Sequence, residues 1–473
     1  MSTFKFVGRE KELSLLRESS NQAGPQLTAL YGRRRVGKTR LVKEACKDKK
    51  VYRFEGLEGI NSSGQKAHFL KQLSSSSNIK NLNLISPRTD WTDLLVLLAE
   101  HVKGNPCVIF FDEFQWMAAG RNELVSKLKY VWDNYFIAGS RVHMILCGSV
   151  SSFLVKKVIR SKALFGRIDN IIHLQPLPFP TVKKGFFSKR SVFEALEYYL
   201  IAGGIPKYLE LYDSSRSIRL NLQKLCFRPG AYFLEELNRI FTSHFGDAPQ
   251  YRRIIEFLAS RSFSTRKEIG RHLRLTTGGR LSEYLENLEM AGFIESYVPL
   301  HSASSSFLMR FRIIDPYLRF YFNFIKPVKR RIKMDMDEIP FHQAVPDKRY
   351  AIYLGLAFER FCYQHGSHIA RLLGFSAVAY TYGAFYRKKD MATNLQIDLL
   401  FRRSDKVITL CEIKFKQETG KEVIREMERK VRIISSWDKN STIEPVLISV
   451  YAPGESVYKE GCFSSILTAE DFA

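Results

Sequence analysis

Hydrophobic positions fall into three regimes along the chain. In the first, three short and almost wholly apolar runs stand out: Gln26–Tyr31, Val108–Phe111 and Val142–Cys147. Runs of this length without polar alternation predict strands buried on both faces. After the first run, Leu41, Val42 and Ala45 share one face of a helix predicted over Lys38–Cys46. Buried strands alternating with helices predict an α/β unit over residues 1–180. In the second regime the pattern turns helical from Ser191, breaks at Gly203-Gly204-Ile205-Pro206, and stays helical to about residue 260. The polar stretch Ser74–Asn83 predicts a surface loop. In the third regime strands return, as Asn394–Phe401 and Val407–Lys414, preceded by a helix over Ala351–Gln364.

The second regime ends in a more specific pattern. Helices are predicted over Tyr251–Ala259, Arg266–Leu273 (capped by Ser264-Thr265) and Arg280–Met290, with a turn at Thr276–Gly279. Leu281, Tyr284, Leu285 and Leu288 line one face of the last helix. Two strands, Phe293–Val298 and Phe307–Ile313, would form a hairpin behind it. This is winged-helix order, with the Arg280 helix in the position that enters a major groove. Its exposed face offers Arg280, Ser282, Glu283 and Glu286, which is not strongly basic. A protein-contact or lid role therefore stands beside DNA reading.

Chemistry enters with Gly32-Arg33-Arg34-Arg35-Val36-Gly37-Lys38-Thr39, a G-x-x-x-x-G-K-T sequence placed between a strand and a helix. Gly32 and Gly37 let successive N–H groups face a triphosphate, Lys38 reaches its β/γ-phosphates and the Thr39 hydroxyl ligates Mg²⁺. The run Val108–Phe111 ends in Asp112-Glu113. There Asp112 is placed to hold Mg²⁺ through water and Glu113 to polarise the attacking water. Ser149, ending the third run, fits sensing of the γ-phosphate and equally an ordinary helix cap.

A second constellation lies near the C-terminus. Folding Asn394–Phe401 and Val407–Lys414 as a hairpin about Ser404-Asp405 brings Asp398 opposite Cys411 or Glu412. Period-2 alternation puts Glu412 and Lys414 on one face. Asp398 and Glu412 interrupt very apolar strands, where a buried acid requires a reason. Two carboxylates binding Mg²⁺, with a lysine stabilising charge, is the chemistry of phosphodiester cleavage, and Glu359 could join from the helix upstream. An exposed salt-bridged hairpin is the alternative.

Charge adds a partner. Seventy-three Lys plus Arg against 48 Asp plus Glu give 473 residues a net charge of +25. That predicts a polyanionic partner, with DNA first. The run Lys326–Lys333 is read as a basic linker and phosphate contact site. No apolar run approaches a membrane span, and no signal-peptide core opens the chain. Seven scattered cysteines without a CxxC pair argue against zinc and a disulfide framework. A cytoplasmic location without membrane association is expected.

Together these motifs resemble archaeal-type P-loop ATPases of the AAA+/STAND group. Phe6-Val7-Gly8-Arg9-Glu10 is similar to the group's entry box, which implies that Gly8 and Arg9 help frame adenine. Leu164-Phe165-Gly166-Arg167 and Gly203-Gly204-Ile205-Pro206-Lys207-Tyr208 follow in the branch's order. The resemblance implies ATP and Mg²⁺ as cofactors, and either an arginine-finger or a salt-bridge role for Arg167. It also implies four domains: an ATPase (1–180), a helical lid (181–248), a winged helix (249–326) and a restriction-endonuclease-like α/β domain (340–473). In the last, Glu359, Asp398, Glu412 and Lys414 match the PD-(D/E)xK pattern, with Asp398 and Glu412 as metal ligands. Gln396 stands where many relatives carry Glu. The function expected is an ATP-hydrolysing, DNA-associated protein whose Mg²⁺-dependent nuclease is controlled by nucleotide state. Rivals are an ATP-gated binding or signalling scaffold with an inactive tail, and a winged-helix transcription regulator. An arginine finger acting between copies would imply a homo-oligomer.

Overall fold

The computed structural model describes all residues except 1–5, 78–88, 119–122, 138–140, 150–153, 160–163, 246–247, 276–277, 301–308, 336 and 388–394. Two compact units emerge. One comprises Met1–Leu177 with Ile205–Lys207 and Thr242–Asp247; the other comprises Pro178–Gly204, Tyr208–Phe241 and Ala248–Ala473.

The first unit is built on strands β1 (Gln26–Gly32), β2 (Val51–Glu55), β3 (Cys107–Asp112), β4 (Val142–Ser149) and β5 (Asn170–Leu174). All pair in parallel, in the order β2-β3-β4-β1-β5. Every residue of β3 and β4 is buried, as their unbroken apolar runs require. One core cluster joins Phe54, Phe69, Trp91, Phe111 and Met144; another joins Leu16, Leu30, Leu41, Val42 and Cys147. The sheet is thus covered by apolar clusters that leave its strand ends for polar residues. Ser74–Ser76 finish the helix Ser62–Ser76 rather than opening a loop. Most of the remaining expected loop lies outside the described residues.

The second unit contains two sheets. Helices Pro249–Ala259, Arg266–Leu273 and Gly279–Met290 accompany a three-stranded antiparallel sheet, β6-β8-β7, whose first strand falls between the first two helices. Its strands are β6 (Ser264–Thr265), β7 (Ile294–Tyr297) and β8 (Arg310–Ile313), with Ile294 opposite Ile313. Thr265 and Glu268 form a reciprocal capping box, which starts the second helix where Ser264-Thr265 predicted it. Leu281, Leu285 and Leu288 are buried, fixing the inward face of the third helix. Thr276-Thr277 and Phe307 belong to expected elements that lie outside the described residues.

The basic run Lys326–Lys333 is not a linker. It lies in the helix Lys326–Asp335, which continues from Pro316–Phe320 through a π-helical stretch, Tyr321–Ile325. Ile325 and Ile332 are fully buried and anchor one face. Lys326 pairs with Glu256 at 3.2 Å, and Lys329 and Lys333 pair with Glu235 at 3.5 and 2.6 Å. Charge density suggested an exposed tether, but two isoleucines at helical spacing and acids on neighbouring helices give the run a packing site.

The last sheet runs β13-β12-β11-β10-β9. Its strands are β9 (Tyr380–Arg387), β10 (Leu395–Arg403), β11 (Val407–Lys414), β12 (Thr442–Ser449) and β13 (Ser465–Leu467). The β10–β11 hairpin turns at Ser404–Lys406, and Lys406 takes φ of 63° there. Pairing runs from Arg402↔Ile408 to Leu399↔Cys411. β11 and β12 are parallel, linked through the helix Glu422–Trp437, whose Val423, Met427 and Ile434 pack inward.

Candidate functional site

The first site forms where β1, β3 and β4 end. β1 delivers Gly32, whose backbone passes so close to β5 that a Cβ would lie 2.4 Å from the Leu174 carbonyl oxygen. The chain then turns through Arg35 and Gly37, with φ of 71° and 98°, into the helix Lys38–Ala45. Glycine tolerates that φ at Gly37 without strain. Lys38 is buried, its Nζ donating to the carbonyls of Gly32 at 2.9 Å and Arg33 at 3.2 Å. Pro206 lies 3.9 Å from where a Gly37 Cβ would stand, so the Gly203 box sends its proline to the phosphate loop.

β3 delivers the acids. Thr39 Oγ1 donates to Asp112 Oδ2 at 3.0 Å, which joins the two residues expected to serve Mg²⁺. A hydroxyl and a buried carboxylate oxygen at the end of the loop are hard donors that suit that ion. Glu113 sits at φ 49°, a left-handed conformation unusual for a non-glycine residue, and heads the short helix Phe114–Met117. Its carboxylate accepts from Gln115 Nε2 at 2.6 Å, and the same amide donates to Ser149 Oγ at 3.2 Å. Glu113 and Ser149 are thereby joined through Gln115.

Two participants escaped sequence reasoning. Arg53 on β2 places Nη2 2.8 Å from Asp112 Oδ2 and 3.0 Å from Glu55 Oε2. Gln115 packs so tightly on Gly148 that a Cβ there would lie 2.2 Å from its Oε1. Arg53 sits on a strand of alternating exposure, Val51–Glu55, where an arginine reads as solvent-facing. Gln115 has no periodic signal at all.

The entry box lies against the same unit. Gly8 and Arg9 have φ of 68° and 72°. Arg9 starts the helix Glu10–Asn21 and bonds Glu12 and the Gln175 carbonyl, at 3.3 and 2.5 Å. Arg167 forms a two-pronged ion pair with Asp133, Nε to Oδ1 at 2.6 Å and Nη2 to Oδ2 at 2.8 Å. This is the salt-bridge alternative in geometric form.

The second site gathers on β10, β11 and two helices. The β10–β11 pairing ends at Leu399↔Cys411, one residue short of Asp398 and Glu412, and the Glu412 charge acts on Asp398. Glu412 is buried, and each of its oxygens meets a lysine at 2.6 Å: Oε1 with Lys414 and Oε2 with Lys430. Glu426 adds contacts to both, at 3.5 Å and 3.2 Å. Burial opposes the Lys414 charge, but Glu412 outweighs it and holds that pKa above the ordinary lysine value. Asp398 is pushed up, first by burial and then by the Glu412 charge. Glu359, on the helix Asp347–Gln364, is pushed up to about 7 by burial and by Asp398.

Lys430 and Glu426 were also missed. Lys430 shares the helical stripe of Val423, Met427 and Ile434, so a lysine on an inward face was the available signal. Among the described residues no group of three or more His, Cys, Asp and Glu is arranged to hold a metal. Both oxygens of Glu412, expected to serve a metal, are engaged by ammonium groups. Asp398 and Glu359 do share a cavity of about 400 Å³ with Arg310, Arg312 and Arg360.

Comparison with known proteins bears on the first site. Residues 6–212 match the family model described as an ATPase domain predominantly from Archaea. The N-terminal part carries an archaeal-type ATPase domain. An uncharacterized protein of Methanocaldococcus jannaschii is 26% identical over 445 residues, 92% of this chain and 93% of that one. A protein of the same organism described as an uncharacterized ATP-binding protein is 48% identical over 48 residues, 10% of this chain and 81% of its own. Among solved structures, a Walker-type ATPase of Pyrococcus abyssi aligns with 22% identity, 67% of this chain, 96% of that chain and a TM-score of 0.48. Residues 6–212, matched by the family model, contain the phosphate loop, Asp112-Glu113, Ser149, Arg167 and the Gly203 box. No described helix is long and apolar enough to cross a membrane.

Proposed function

We propose that the chain is an ATP-driven protein that acts on DNA, with nucleotide state controlling a C-terminal phosphodiester-cleaving site. The observation that carries the ATPase half is the Thr39–Asp112 bond at 3.0 Å beside Lys38. Lys38 would neutralise the β/γ-phosphates, and Thr39 and Asp112 would hold Mg²⁺, whose charge offsets that developing on the transferred phosphoryl group. Glu113 would align the attacking water, held in its orientation by Gln115. Turnover that proceeds normally in Glu113→Gln would sink this assignment.

The nuclease half is supported by Asp398 and Glu359 meeting beside Glu412 and Lys414. Asp398, raised by burial and by Glu412, and Glu359, raised by burial and by Asp398, are the groups that would gain from a bound cation. The helices and sheet of residues 249–313 would form the winged-helix module, placed to guide a strand. The test is cleavage of plasmid and single-stranded DNA with Mg²⁺, with and without ATP. Absence of cleavage across divalent metals, with ATPase activity retained, would favour the second reading. That reading is an ATP-gated scaffold with an inactive tail, and the double lysine engagement of Glu412 favours it.

A further inference from the structure

Arginines outnumber their partners around the cavity that holds Asp398 and Glu359. Arg312 on β8 gives its Nε to Glu295 at 2.5 Å, and its guanidinium lies 4.6 Å from the Tyr297 ring and 4.3 Å from that of Tyr363. Its Nη2 is closed off from solvent without a hydrogen-bond partner among the described residues. Arg319 is in the same condition: Nη1 reaches the Ile313 carbonyl at 3.4 Å, while Nε is buried and unmet. Arg360 bonds only the Leu356 carbonyl at 3.3 Å and forms no ion pair among the described residues. Arg312 and Arg319 both press their charge on Arg360. Guanidinium does not give up its proton in proteins, so such crowding is relieved by an anion rather than by neutralisation.

We propose that Arg312 and Arg360, backed by Arg319, form a binding site for the terminal phosphate of a single-stranded nucleic acid, beside the acids of the proposed nuclease. The inference rests on the nucleic-acid reading of that domain. A terminal phosphate carries close to two negative charges and three strong acceptor oxygens, which suits several forked donors better than an internal phosphodiester does. A cavity of about 400 Å³ is the size of a small-ligand site. It would take about one nucleotide unit and would not admit a duplex.

The experiment uses the full chain in EDTA, so that binding is read without cleavage. Fluorescence anisotropy compares one short single strand bearing a 5′-phosphate, a 3′-phosphate or hydroxyls at both ends. One phosphorylated end should bind at least about tenfold more tightly than the hydroxyl strand. Arg312→Gln and Arg360→Gln should each erase that preference while weaker, end-independent binding persists. Should either variant melt early, Arg312→Lys and Arg360→Lys keep the charge, lose the fork and should still cut the preference at least threefold. Equal binding of all three strands by wild type, or a preference that survives both substitutions, would overturn the site. So would displacement by polyglutamate as effective as that by AMP. A parallel cleavage assay in Mg²⁺ decides the nuclease separately: end preference without cleavage keeps this site and removes that activity.

Discussion

The nucleotide site and the C-terminal acidic site use the same ingredients, lysine and carboxylate, in opposite ways. At the first, Lys38 donates to backbone carbonyls and Asp112 accepts from Thr39 and Arg53, so a loop's geometry sets the charges. At the second, Lys414 and Lys430 both close on Glu412, while Asp398 and Glu359 form no ion pair among the described residues and burial pushes both toward protonation. A site organised by backbone can be read from eight consecutive residues. A site organised by mutual burial depends on who else is packed against it, and here one decisive partner, Lys430, lies 18 positions from Glu412.

The sharpest way to break the contrast is at the loop. Lys38→Ala should lower ATP turnover by at least about 100-fold, the scale of losing one transition-state charge donor; a phosphate-release assay reads it, and near-normal turnover would remove the loop from the mechanism. Next comes Glu412→Ala. It leaves buried Lys430 only the Glu426 contact at 3.2 Å and should cost about 3 kcal/mol of stability by denaturant unfolding. The double variant Glu412→Leu with Lys430→Met should recover most of that loss, and a single variant that unfolds like wild type would show the pair to be incidental.

A third test concerns pH. The Glu359 pKa stands at about 7 in the folded chain against an ordinary 4.5. Folding therefore favours its protonated form. That contribution is fully present below about pH 4.5 and is lost as pH rises through about 7. Glu359→Gln does not titrate, so its Tm should gain on wild type by several degrees between pH 5 and pH 8. A constant offset would show that burial does not hold this carboxyl as described. The smallest effect is expected at Gln115→Leu, which cuts the link between Glu113 and Ser149. Turnover should fall about tenfold, the scale of one hydrogen bond, with ATP affinity unchanged by calorimetry.

Legibility in the sequence follows the same division. The strand-loop-helix order, the acids at the end of β3 and the β10–β11 hairpin could all be read, because each rests on local pattern. Arg53 and Gln115 could not, because each acts through a neighbouring strand. Lys326–Lys333 misled for a related reason: charge density is visible in one dimension, whereas Glu235 and Glu256, which pair with it, are visible only in three. Asp398 and Glu412 were found as acids out of place in apolar strands. That two lysines would claim Glu412 was half-hidden, since only Lys414 belongs to the motif.

The closeness of Gly32 to Leu174 gives the phosphate loop a history in time as well as a place. Its wall on one side is a strand that leaves the ribosome about 140 residues later, which at ordinary synthesis rates is roughly 10–30 s. During that interval the loop sequence exists but the surface that shapes it does not. The most local motif in the chain is, in folding, one of its long-range contacts, and a nascent fragment ending before Asn170 should fail to retain nucleotide however intact its eight signature residues are.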